Sequence, residues 1–495
     1  MSVGAIFTLI SNGVSKADAA FTATRILQRR IATILSTRQD GGKKHWSRIM
    51  DDIKKTHVIF IESGYKPFAT IAYEYSKASV QRGKCSFGSS SEFSINKYGQ
   101  FVNDMILHVI LTNLKTVNQT YDKCKYTTYL GHRLLEQVRF KINGNPIDEY
   151  GTEEYNVYYE FEVPTDKATG YLRNIGQEVP ELAYFTPDPT VDEYREVKYF
   201  ANGPQTFKAT HDRVEMWIPL LFEFNRRMES SLPNVAIPYG QTDIEIKFAP
   251  LDVIADGVTY DAVLGGNGVI IEPTIKVCEL YINHIFMIEE VYSIFIKNYG
   301  ATVFRVHKRQ EKLLDLKDGR IVLNSLKFPL ESIFVAFRPQ DNFNHFAYWY
   351  CNSIVTKTAV EIPCMIQTPV PHTLAYNDAV WYTKVPSVTT IGITSHGHTI
   401  YQIMNESFYN SYTPFRFGDK WNTPKGIGWH LINFNIKPGE KQPSGYLNVS
   451  KQREFYLVYS APQASKANPL RMIVVAYVIN LLLIEGGTAH LVWST

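Results

Sequence analysis

From His57 onward, apolar and polar residues alternate with a period of two. Val138, Phe140 and Ile142 share one face, Arg139 and Lys141 take the other, and Asn143-Gly144 follows. Asn-Gly supplies the positive φ values of a type I′ turn, so a hairpin is predicted there. The same reading predicts strands over 68–75, 105–111, 155–163, 215–224 and 243–248. A second set is predicted over 276–283, 301–307, 332–338, 389–394, 430–436, 454–459, 471–484 and 490–493. Between the sets, 251–268 is rich in Gly and Asp, lacks a period and reads as a linker or long loop. Short helices fit 225–232 and 289–295. Strands this dense, separated by turn signals, predict β-sandwiches or barrels. No fixed-period repeat stands out, so any likeness between the halves is expected in shape and not in sequence.

The first 55 residues follow another pattern. Phe21, Leu27, Ile31 and Ile34 recur near helical spacing over 16–35, with Arg25, Arg29 and Arg30 on other faces. Ser15 with Asp18 resembles a capping box, and Gly41-Gly42 ends the pattern. This stretch holds 10 Lys/Arg and 4 Asp, a net of +6, so the chain's +3 leaves −3 on the rest. A basic amphipathic arm can lie on a membrane surface or a partner, or pack on its own domain.

Length and composition bound the rest. The 495 residues, 45% hydrophobic and 20% charged, suit two to four globular domains. The start lacks the basic n-region and apolar core of a secretory signal. The longest apolar run, 472–484, is interrupted by Asn480 and falls short of the roughly 20 residues of a membrane span, so it reads as buried strand. Cys85, Cys124, Cys278, Cys351 and Cys364 form no CxxC pair and read as reduced, mostly buried thiols.

Catalytic patterns are missing. The chain has no GxxxxGK[ST], HExxH or GxSxG, and Gly266-Asn267-Gly268 lacks the third glycine of a dinucleotide fingerprint. His396-Gly397-His398 reads as a turn with ordinary histidines, and Glu153-Glu154 and Glu289-Glu290 read as solvated faces. The aromatic clusters 155–161 and 345–350 could stack sugars, but few basic residues interleave them, and sheet packing or contact between subunits is the preferred reading. No enzyme, cofactor, metal or sequence-specific nucleic acid is expected. The rival reading is a lectin-like, carbohydrate-binding double β-sandwich.

Motifs in the tail resemble a known family. Gln442-Pro-Ser-Gly-Tyr-Leu-Asn-Val-Ser450, Arg453-Glu-Phe-Tyr456, Ile479-Asn-Leu-Leu-Leu483 and Trp493-Ser-Thr495 look like the C-terminal signature of the major capsid proteins of large nucleocytoplasmic DNA viruses, nearest the asfarvirus type. Val138–Asn145, Asp148-Glu-Tyr150, Gly176-Gln-Glu-Val179, Asn202-Gly-Pro-Gln-Thr206, Ile237-Pro-Tyr-Gly240, Glu279-Leu-Tyr-Ile-Asn283 and Arg305-Val-His-Lys308 look like it too, in order along the chain. The resemblance implies an all-β double jelly roll: two eight-stranded antiparallel sandwiches in tandem behind a short N-terminal helical arm. The expected division is arm 1–55, first jelly roll 56–250, linker 251–275 and second jelly roll 276–495. Asn143, Gly144, Pro443, Ser444, Gly445 and Asn448 would then be structural motif residues, and Arg25, Arg29 and Arg30 contacts of the arm. The family further implies pseudo-hexagonal homotrimers tiling an icosahedral shell assembled in the host cytoplasm. Neighbouring capsomers, minor capsid and penton proteins, an inner viral membrane reached by the arm and a viral folding chaperone would be its partners. The resemblance further implies a chain shorter than the asfarvirus type, with the missing length between strands, as at 111–130 and 179–199.

Overall fold

A computed structural model describes residues 71–493, apart from 121, 180, 184–197, 201–202, 260–267, 288, 290–299, 344, 347, 360–379 and 419. The arm, with Arg25, Arg29 and Arg30, and the end of the chain lie outside the described residues, as do Cys364 and most of the helix expected at 289–295.

Among the described residues, sixteen of the strands build two sets of eight. The first set is β1 (Ile71–Ala78), β2 (Ser90–Ser94), β3 (Phe101–Leu111), β4 (Leu135–Ile142), β5 (Asn145–Gly151), β6 (Val214–Pro219), β7 (Thr242–Phe248) and β8 (Ile275–Met287). The second is β9 (Ala301–Leu314), β10 (Asp318–Val322), β11 (Pro329–Pro339), β12 (Thr390–Ser395), β13 (His398–Asn405), β14 (Trp429–Asn433), β15 (Phe455–Ser460) and β16 (Leu470–Glu485). The first set pairs as β1-β8-β3-β6 and β2-β7-β4-β5. The second pairs as β9-β16-β11-β14 and β10-β15-β12-β13, the same order with eight added to each label. Every pairing is antiparallel. These are two tandem jelly rolls.

Alternation builds each core. Met105, Leu107, Val109 and Leu111 of β3 point at Phe140 of β4 and at Ile244 and Ile246 of β7, all fully buried. On the outer face, Arg139 bonds Glu149 at 2.8 Å and Glu245 at 3.1 Å across neighbouring strands. β16 is buried almost throughout, as the 472–484 run predicts, because its sheet is covered on both faces. Among the described residues, no helix is long and apolar enough to cross a membrane.

The Asn143-Gly144 turn forms as predicted, with φ of 52° and 78°. Asn143 also ties the hairpin to β7: its backbone N–H donates to Gln241 O, and its Oδ1 accepts the Gln241 N–H, both at 2.8 Å. A Cβ on Gly144 would meet open space, so Gly144→Ala tests the backbone conformation alone. It should cost about 1 kcal/mol of stability, read from urea midpoints. An unchanged midpoint would mean that the turn does not need this conformation.

Several expectations change. The segment 155–163, predicted as strand from the period-two pattern, is helical: Thr152–Val157 is α-helix and Tyr158–Glu162 continues as a π turn. Glu154 opens that helix by accepting the Gly151 N–H at 2.8 Å. The strand predicted over 215–224 ends at Pro219, and Glu223–Arg226 is a helical turn. The expected linker holds the helical turn Leu251–Ile254 and the strand Ala255–Thr259, the latter paired with Asp122–Tyr126. The strand expected to open the second sandwich at 276 belongs to the first, since β8 is hydrogen-bonded between β1 and β3. Local composition cannot show this, because the partners of β8 lie nearly 200 residues upstream.

Candidate functional site: the seam between the sandwiches

Both sandwiches carry a helical insert directly after their fifth strand. The first, 152–162, leaves β5 and lies on the outer face of the second sandwich's β9-β16-β11-β14 sheet. Val157 and Phe161 bury themselves there against Phe334, Ala336, Trp429, Leu431, Ile473, Val475 and Tyr477. The Phe161 ring sits 4.9 Å from Phe334, which also meets Trp421 edge-on at 5.2 Å. Asn422 closes over the insert, donating its backbone N–H to Phe161 O at 2.7 Å and its amide to Val163 O at 2.8 Å.

Buried ion pairs line this apolar contact. Arg338 of β11, 1% exposed, holds Glu153 through both carboxylate oxygens at 2.6 and 2.7 Å. Burial alone would raise the Glu153 pKa, but Arg338 reverses the effect and holds it below the ordinary value. Glu162 bonds Arg226 at 2.9 Å, Lys420 at 2.7 Å and the Tyr477 hydroxyl at 2.6 Å. Its burial is likewise outweighed, by Arg226 and Lys420, and its pKa falls to about 2. Arg305 of β9 binds Glu331 at 2.5 and 3.0 Å and Glu223 of the first sandwich at 3.2 Å. Asp148 of β5 accepts the His307 N–H at 2.8 Å and lies 2.9 Å from its Nδ1. Glu153 and Glu154, expected on solvated faces, are therefore buried with partners; Glu154 lies 3.5 Å from Arg309. Glu289, by contrast, is exposed.

This arrangement is a fastener. Glu153, Glu154 and Glu223 of the first sandwich each face an arginine of the second, and Asp148 faces His307. Among the described residues, no cluster of three His, Cys, Asp or Glu could hold a metal. His396-Gly397 is the tip of the β12–β13 hairpin, with φ of 49° and 76°, as expected of a turn. Cys85, Cys124, Cys278 and Cys351 are free, two of them buried and two half-buried. The aromatic clusters are used in packing: Tyr155 and Phe161 are fully buried and Trp349 nearly so.

The tail motif braces a loop beside the seam. Ser444 Oγ accepts the Lys437 N–H at 2.7 Å and bonds the side chain of Asn435, which in turn bonds Glu331, the partner of Arg305. Pro443 leads into this turn. A Cβ on Gly445 would lie 2.8 Å from Phe434 O, so glycine is required by close approach. Asn448 Oδ1 accepts the Ser450 N–H at 3.1 Å and hydroxyl at 2.7 Å, capping a short strand that pairs with β11. These residues and Asn143-Gly144 are thus spread over separate turns. No local signal in the sequence marks Glu162, Arg226 or Arg338 as seam residues, because the partners in the seam lie up to 258 residues apart.

Comparison with known proteins agrees with this architecture. Residues 61–288 match the model for the major capsid protein N-terminus, and 292–490 match that for the large eukaryotic DNA virus major capsid protein. The hexon protein p72 of African swine fever virus is 27% identical over 647 aligned positions covering the whole of both chains. The alignment is longer than this chain's 495 residues, so the relative's extra length falls in insertions within the aligned region. The major capsid protein of Paramecium bursaria Chlorella virus 1 is 20% identical over 80% of each chain. Among solved structures, the Faustovirus major capsid protein superposes with a TM-score of 0.75 at 25% identity, covering 94% of this chain and 98% of its own. The Chlorella virus capsid chain shares the fold, with a TM-score of 0.62 at 16% identity over 88% of this chain and all of its own. The chain belongs to the major capsid proteins of large eukaryotic DNA viruses.

Proposed function

We propose that three copies of the chain close into a pseudo-hexagonal capsomer, and that such capsomers tile the icosahedral shell of a large double-stranded DNA virus as structural, non-enzymatic units. The repeated strand order of β1–β8 and β9–β16 carries this reading. Two alike sandwiches in each of three chains present six alike edges around a threefold axis, and heterologous contacts close such a ring. The chain would divide into an arm (1–55), a first jelly roll reaching β8 and a second beginning at β9. The +6 arm, with Arg25, Arg29 and Arg30, would face the particle interior and meet minor capsid or penton proteins, or an inner membrane. Assembly in the host cytoplasm with a viral folding chaperone completes the proposal.

Sedimentation equilibrium of the full chain is the test. A trimer at micromolar concentration is expected, and a monomer under assembly conditions would overturn the reading. The chain lacking residues 1–55 should still form trimers but give a lower yield of closed particles in electron micrographs; an unchanged yield would remove the arm from assembly.

A further inference from the structure

The second sandwich carries its own insert, Phe408–Tyr412 as a π turn followed by the helical turn Thr413–Arg416, directly after β13. It stands where 152–162 stands after β5. Laid over one another without gaps, the inserts share Tyr-Asn-x-Tyr-x-x-Phe: Tyr155, Asn156, Tyr158 and Phe161 correspond to Tyr409, Asn410, Tyr412 and Phe415, 254 residues apart. The likeness between halves therefore extends to sequence at this one place, contrary to expectation. The first two positions behave alike, since Tyr155 and Tyr409 are fully buried and Asn156 and Asn410 each 5% exposed. Tyr155 donates its hydroxyl to Pro219 O at 3.0 Å and Tyr409 to Gln402 O at 2.7 Å, which anchors each insert to its own sandwich.

The other two positions differ. Phe161 is fully buried on the neighbouring sandwich's sheet, whereas Phe415 is 77% exposed and Tyr412 is 53% exposed. The sheets differ in the complementary sense. The outer face of β9-β16-β11-β14, which receives the first insert, is buried: Phe334, Leu431, Ile473 and Val475 are fully so. On the matching outer face of β1-β8-β3-β6, Ile106, Ile110, Trp217, Val277 and Tyr281 are only half-buried, and Tyr73 and Tyr75 at its β1 edge are exposed. Within one chain, then, the described residues hold one filled socket, one open socket of the same strand order and one unseated insert of the same sequence pattern.

We infer that the second insert, led by Phe415 and Tyr412, seats on the outer β1-β8-β3-β6 face of a second copy of this chain, repeating between chains the contact that 152–162 makes within one. The partner is this chain because the intrachain seam already displays the same motif on the same kind of sheet. The contact is heterologous, so repetition closes a ring in which intrachain and interchain seams alternate. It rests on the trimeric reading above and assigns the surfaces that reading leaves open.

The full-length chain carrying Phe415→Asp tests it, alongside a full-length chain with p-benzoylphenylalanine at position 415 for photo-cross-linking. With Phe415 so exposed, the aspartate variant should keep the wild-type circular dichroism. It should sediment as a single chain at concentrations where the wild type is a trimer. Cross-links from position 415 should map to β3, β6 or β8 of another chain. A Phe415→Asp variant that stays trimeric, or interchain cross-links that map elsewhere, would overturn the inference and leave the trimer intact. Should the aspartate variant lose its fold, the cross-link map decides. A monomeric wild type would overturn the trimer and this contact together.

Discussion

Replacing Arg338 with methionine should lower the free energy of unfolding by about 3–5 kcal/mol, the usual cost of stranding a buried charge. Methionine fills much of the arginine's volume, so the loss is chiefly electrostatic. Arg338 donates to both Glu153 oxygens and, through Nε, to Asn352 Oδ1 at 3.0 Å. Without it, Glu153 keeps one side-chain donor, the Asn156 amide at 3.2 Å, in a site 6% exposed. The carboxylate must then protonate, draw in water or leave the seam. The double variant Glu153→Leu, Arg338→Met removes both charges and should recover most of the loss, because a buried pair replaced by well-packed apolar groups is often neutral. Urea unfolding followed by tryptophan fluorescence measures all three proteins. Since the pair bridges the two sandwiches, the single variant should also separate their transitions. A single-variant midpoint equal to the wild type would mean that the seam does not depend on this pair.

The sandwich frame was legible because its signals are local. Val138, Phe140 and Ile142 alternate with Arg139 and Lys141 whatever lies elsewhere in the chain, and Asn143-Gly144 fixes a turn by its own dihedral preferences. The seam was not legible for the opposite reason. An aromatic-rich stretch such as 155–161 suits a strand by composition, and only its docking on Phe334 and Trp421, together with the Glu154 cap, selects the helix. Glu153 and Glu154 look like solvent-facing charges until Arg338 and Arg309 arrive from β11 and β9. The Tyr-Asn-x-Tyr-x-x-Phe echo is too short to stand out over 495 residues, and it gains meaning only when both copies fall after the fifth strand of like sandwiches.

Acid should weaken the folded chain well before most of its carboxylates titrate, and His132 is the reason. Its ring is fully buried, stacked between Tyr129 at 5.5 Å and Tyr155 at 5.3 Å, with Nε2 2.7 Å from the Tyr171 hydroxyl. Burial pushes its pKa down to about 3, against an ordinary 6.5. The unfolded chain therefore takes up a proton below pH 6.5 that the folded chain refuses until about pH 3. The stabilising contribution is whole above pH 6.5 and drains away as the pH falls, by roughly 3 kcal/mol at pH 4.5 and roughly 4 kcal/mol near pH 3. Glu162 acts in a lower window. Its pKa of about 2 lies below the ordinary 4.5, so its share is present above pH 4.5 and lost toward pH 2, roughly 3 kcal/mol in all. The two windows separate the groups. His132→Gln, whose amide can still reach Tyr171, should flatten the stability profile between pH 6.5 and 4.5 and leave the steeper fall below 4.5 in place. His211, His284 and His345, also held down by burial, add to the slope in the upper window. If His132→Gln kept the full wild-type slope there, the acid response would have to come from those histidines or from the interface between chains. Repeating the titration on Phe415→Asp, a single chain by the contact inferred above, distinguishes those two sources.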